Sequence, residues 1–159
     1  MLGLHMNLDE EYIHFQESIT SLNRAWRTLC ELEKSQPGNA IWSAAYRMVV
    51  VEYCKPFTKS QVNKNERHKL PLPNIPDDSK LLHDRLLKLR HQVMAHCDLS
   101  PLDANVSYDK TDDFPMPLIV KNVLGNFPSI TEIKNLVETV LDALYQKESQ
   151  YELRFKQRS

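Results

Sequence analysis

The sequence predicts an all-α fold: a helical bundle of four main helices with a long basic loop and a small irregular or β-hairpin excursion. Three observations carry this. Apolar residues recur at gaps of three and four over four long segments, which puts them on one face of a helix. Prolines, glycines and short polar runs punctuate the chain between those segments. The length, 159 residues, suits one helical domain over 1–159 with a core of its own.

The first segment, about Asp9 to Lys34, carries Tyr12, Phe15, Ile19, Leu22, Trp26 and Leu29 at helical spacing. Asp9, Glu10 and Glu11 suit the positive end of the helix dipole, and Pro37-Gly38 closes the segment. Its aromatic stripe reads as core rather than as a cofactor box. A second helix, about Asn39 to Lys55, starts at an Asn cap and ends at Pro56. Val49, Val50 and Val51 have strand propensity, but the flanking Ala, Met and Glu residues and the total length favour helix.

From Phe57 to Pro76 the periodicity stops and Pro71, Pro73 and Pro76 exclude helix in the second half, so a long loop is expected. Lys55, Lys59, Lys64, Arg67, His68 and Lys69 face a single acid, Glu66, in sequence. Such a patch suits RNA phosphates, and it is equally how an ordinary solvated loop looks. Asp77, Asp78 and Ser79 start the central helix, which the pattern carries to about Asp98. Beyond it, Asn105 to Tyr108 and Leu118 to Val120 read as a hairpin, with the acids Asp109, Asp112 and Asp113 as turn chemistry rather than a calcium loop. The last helix begins at a capping box, Ser129 to Glu132, and runs to about Phe155. Tyr151 and Phe155 are expected to project past the domain, as a tail able to pack on a second copy.

Composition bounds the function. The hydrophobic share of 42% and charged share of 26% are those of an ordinary globular protein. A net charge of −1 gives no global attraction to a polyanion, so a nucleic-acid partner must meet a local patch. Cys30, Cys54 and Cys97 offer neither a disulfide framework nor zinc-ligand spacing, which predicts a reducing cytoplasm and no metal. Met1 to His5 lacks a signal-peptide pattern and no window reads as membrane-spanning. With only Gly3, Gly38 and Gly125, a P-loop is excluded.

The central helix holds the groups that packing leaves unexplained. Leu82, Leu86, Leu89 and Val93 form its apolar face, and at about 100° per residue Arg90 and His83 fall inside the same arc. A guanidinium there needs an anionic partner or a solvated pocket. Glu52, one turn before the end of the second helix, is a candidate carboxylate for Arg90 or His83. His96 sits at the edge of the arc, near Asp98, where the helix ends. Taken singly, such an Arg more often pairs with a carboxylate and such a His is usually a satisfied side chain.

Together, Leu89-Arg90, a polar residue at 91, and Ala95-His96 followed by Asp98 resemble the Arg-x(4–6)-His signature of HEPN domains, here Arg90-x5-His96. Many members carry Asn after the arginine; this chain has His91. The resemblance implies a helical bundle and a homodimer in which paired motif helices form one composite cleft. It implies metal-independent RNA cleavage without a cofactor, with Arg90 on the phosphate, His96 exchanging protons and His91 orienting them. Lys55, Lys59, Lys64, Arg67 and Lys69 would hold the RNA backbone, with Glu52, His83 and Asp98 in support. By analogy it extends to a toxin or defence protein with an antitoxin or other partner protein. The alternative is a non-catalytic HEPN-like binding module or accessory subunit whose Arg90 and His96 serve buried polar contacts.

Overall fold

Four helices form where the apolar spacing places them. The computed structural model describes residues 8–62, 67–91, 105–108, 117–120 and 127–158. Its helices are α1 (Leu8–Glu33), α2 (Ala40–Cys54), α3 (Asp77–Leu89) and α4 (Ile130–Arg158). α1 packs along both α2 and α4, and α3 leans on the same two helices. Phe15, Leu22, Leu29, Val49, Val50, Leu86, Ile133, Val137 and Leu144 are almost wholly buried and join all four helices in one core.

The predicted punctuation is visible in the backbone. Gly38 takes φ +100° between α1 and α2, a conformation that side chains disfavour. The Trp42 amide donates to Asn39 Oδ1 at 2.7 Å, capping α2. Pro56 lies in the short 3-10 turn Lys55–Phe57 that follows. At the start of α4 the Glu132 amide donates to Ser129 Oγ at 3.2 Å and the Ser129 amide to Glu132 Oε2 at 2.8 Å, a complete capping box.

Two segments depart from expectation. The long loop is not structureless: β1 (Ser60–Gln61) pairs antiparallel with β2 (Arg67–His68), Ser60 opposite His68. The Leu70 amide donates to the Pro56 carbonyl at 2.8 Å, while Phe57, Leu70 and Ile75 enter the core. Backbone groups drawn toward a core need partners, and two-residue strands are too short to show an alternating pattern. The end of α4 is the second departure. Tyr151 and Phe155 lie against Tyr12, at ring-centroid distances of 5.6 and 5.2 Å, so the expected tail packs on its own chain.

The hairpin is present as β3 (Asn105–Tyr108) and β4 (Pro117–Val120), antiparallel with Val106 opposite Ile119. The acidic turn between them lies outside the described residues. Among the described residues no helix is long and apolar enough to cross a membrane.

Candidate functional site

Arg90 stands where α3 changes pitch. Leu86 and Leu89 hold that end of α3 in the core, and the Arg90 amide faces both the Leu86 and Leu87 carbonyls. Arg90 and His91 then form a wider, π-type turn, a local rearrangement that proteins often use to re-aim side chains. Arg90 is half-buried and His91 exposed. Among the described residues no carboxylate lies within ion-pair distance of the Arg90 guanidinium. Its charge reaches the Cys54 thiol, although burial dominates there and pushes that thiol up to about 12. His96 and Asp98 lie outside the described residues, as does Lys64.

His83 and Glu52 are held by other groups. His83 is buried, and its Nδ1 shares a 2.8 Å hydrogen bond with the Tyr53 hydroxyl. The Phe57 ring meets His83 edge-on at 4.7 Å. Burial pushes the His83 ring below its ordinary pKa, with Asp84 opposing and Lys69 assisting, so the ring is neutral near pH 7. Glu52 is buried, with Oε1 paired to Lys55 and Oε2 lacking a hydrogen-bond partner among the described residues. His83 and Glu52 therefore sit in and beside the core, with Tyr53 and Lys55 as their partners.

The predicted basic loop divides. Lys55 is taken by Glu52, and Lys59 is exposed on the approach to β1. Arg67 and Lys69 instead open onto a pocket of about 460 Å³ between α1, α4 and the segment 67–71. One wall is Glu11, His14 and Phe15 of α1, spaced three and four apart; the other is Leu144, Lys147, Tyr151 and Arg154 of α4, at the same helical spacing.

Two carboxylates at the start of α1 are engaged at this pocket, Glu11 by Arg154 and Glu10 by His68. Arg154 grips Glu11 with both guanidinium nitrogens, at 2.8 and 3.1 Å, and the Tyr151 hydroxyl donates to the same carboxylate at 2.9 Å. That grip holds the Glu11 carboxyl below its usual range against the opposing effect of burial, while burial and the nearby carboxylate push Tyr151 up to about 12. His68 Nε2 meets Glu10 Oε2 at 3.2 Å. The His14 ring lies 5.7 Å from the His68 ring, and burial, then the charge on His68, pushes His14 down.

No family model, curated protein or solved structure matches this chain.

The fold therefore places Arg90 and His91 at the end of α3, and it sets Arg67 and Lys69 on a pocket that Arg90 does not line. Nothing in the sequence singled out His14, Lys147 or Arg154, and Tyr151 was expected only as part of a projecting tail. A trace of the pocket is legible in retrospect: His14 adjoins the apolar stripe of α1, and Lys147 and Arg154 are seven residues apart, on one face of α4. That His68 joins them depends on the path of a segment without periodicity.

Proposed function

We propose that this chain is a HEPN-like endoribonuclease that cleaves RNA without a metal ion, in a cleft shared by two copies of the chain. The observation that supports this is Arg90, a half-buried guanidinium in a widened turn with no carboxylate partner among the described residues. An arginine placed only for packing is normally neutralised, whereas one kept for phosphate has its planar fork open to two oxygens.

In this reading the ribose 2′-hydroxyl attacks the adjacent phosphorus and the bond to the 5′ oxygen breaks, leaving a cyclic phosphate and a 5′-hydroxyl. His96 exchanges the proton that the attacking or leaving oxygen requires, since an imidazole titrates near neutral pH. Arg90 offsets the charge that builds on the phosphate oxygens, and His91 orients the pair. Lys59, Lys64, Arg67 and Lys69 hold the RNA backbone without reading its sequence, and Lys55 does so at the cost of its pairing with Glu52. The second copy has an uncharged stripe to meet: Ile41, 82% exposed, and Met48, 49% exposed, stand seven residues apart on α2 with exposed Ala44 between them. Such a stripe is self-complementary about a two-fold axis.

The test is digestion of a mixed RNA pool in excess chelator by the wild type, Arg90→Ala and His96→Ala, with product ends mapped. The expected result is cyclic-phosphate ends from the wild type and at least about a hundredfold less cutting by either folded variant. Light scattering is expected to give two chains per particle for the wild type and one for Met48→Glu. Absence of cutting by the wild type, or cutting unchanged by the variants, would replace the nuclease with the binding module or accessory subunit.

A further inference from the structure

The pocket between α1, α4 and 67–71 is unexplained by RNA cleavage at Arg90, which is not among its lining residues. Its charge is one-sided. Arg67, Lys69, Lys147 and Arg154 line it against a single carboxylate, Glu11, and Glu11 is already held by Arg154 and Tyr151. Glu10, just behind, is engaged by His68. Arg67, Lys69 and Lys147 remain without an ion pair among the described residues, in a chain whose net charge is −1. A cation would be repelled here, and a bound anion would be attracted from two sides at once, by the segment 67–71 and by α4.

Shape narrows the class of anion. At about 460 Å³ the pocket falls in the range of small-molecule sites and far exceeds one phosphate group. Exposed Pro71 and half-buried Tyr151, backed by the buried Phe15, Leu70 and Leu144, supply an apolar side that an inorganic ion would leave unused. The Tyr151 ring is fixed by Phe15 at 4.6 Å and by the Arg154 guanidinium at 5.4 Å, so this wall is preorganised. Gln150 adds an amide that can both donate and accept. His14 and His68 add ring nitrogens on the α1 side, where a phosphate oxygen can accept from them.

We propose that this pocket binds a phosphorylated small molecule of the size of a nucleoside monophosphate, its phosphate held by Arg67 and Lys147 and its body against Pro71 and the Tyr151 ring. The pocket shares Arg67 and Lys69 with the proposed RNA-holding loop, but Arg90 is not part of it and ligand binding there does not depend on cleavage. Lys147 distinguishes the two, because it belongs to the pocket and has no part in holding RNA.

The test is isothermal titration of the full chain with adenosine 5′-monophosphate, inorganic phosphate and adenosine at low ionic strength. The monophosphate is expected to bind saturably, with inorganic phosphate and adenosine each about tenfold weaker or more. Lys147→Ala and Arg67→Ala each remove one charge-assisted contact, from a half-buried and an exposed position respectively, and each is expected to weaken monophosphate binding about tenfold with unchanged circular dichroism. Arg90→Ala is expected to bind as the wild type does. No saturable binding to the wild type, or binding unchanged in both pocket variants, would overturn the proposal. Equal affinity for inorganic phosphate would overturn its apolar half, and loss of binding in Arg90→Ala alone would move the ligand to the end of α3.

Discussion

His83 shows how a residue with the right chemistry can be engaged by the core. Buried between Tyr53 and Phe57, it is neutral because its charged form would lose water, and the phenol of Tyr53, pushed far above its ordinary range by burial, keeps its proton. Its folded pKa is thus below the unfolded value of about 6.5. The unfolded chain takes up a proton first, so this contribution to stability is complete above about pH 6.5 and is lost as pH falls through that value toward the folded pKa. His14, also depressed, acts with the same sign. Urea midpoints are expected to be lower at pH 5.5 than at pH 7.5, with a smaller difference in His83→Asn, which cannot take up the proton. An unchanged difference would show that His83 titrates alike in both states.

At the scale of elements, local signals placed the boundaries because they act through near neighbours. The Pro37-Gly38 turn is such a signal: Gly38 lies at φ +100°, and a Cβ there would meet nothing within 4 Å. Gly38→Ala should therefore cost only the backbone strain of that conformation, about 1 kcal/mol, read as a lower urea midpoint with an unchanged slope. The acids at the start of α1 carry a different lesson. Asp9, Glu10 and Glu11 were legible as helix-dipole partners, yet Asp9 meets Arg158 at 2.8 Å, Glu10 meets His68 and Glu11 meets Arg154. A charge run at a helix start serves both the dipole and tertiary pairing, and its sequence does not separate the two.

At the scale of the whole molecule, the helix with the chemical motif is not the packing centre. α1 has the most extensive contacts, with α2 on one side and α4 on the other, and the length of α4 lets its last turns close over the first turns of α1. Tyr151 is the centre of that closure: it packs on Phe15 at 4.6 Å and Tyr12 at 5.6 Å and donates to Glu11. Tyr151→Ala is expected to cost about 2 kcal/mol, from half-buried ring packing and one charge-assisted hydrogen bond. Thermal unfolding should show this as a lower midpoint. A null effect would mean that the end of α4 frays in solution.

The sequence by itself determined the four helices, the caps of α2 and α4, a hairpin read at Asn105 to Tyr108 and Leu118 to Val120, and the burial of stripes such as Phe15, Leu22 and Leu29. Each of these is set by periodicity or by groups a few residues apart, so each is written locally. It also marked Arg90 as a cation on an apolar stripe. Only the tertiary structure decided that His83 pairs with Tyr53, and that Arg67 and Lys69 line one pocket with His14, Lys147 and Tyr151. Those arrangements join residues through the packing of α3 on α2, the path of a short-stranded segment and the packing of α4 on α1. Long side chains of similar charge are interchangeable in a pattern, and distance in space selects among them.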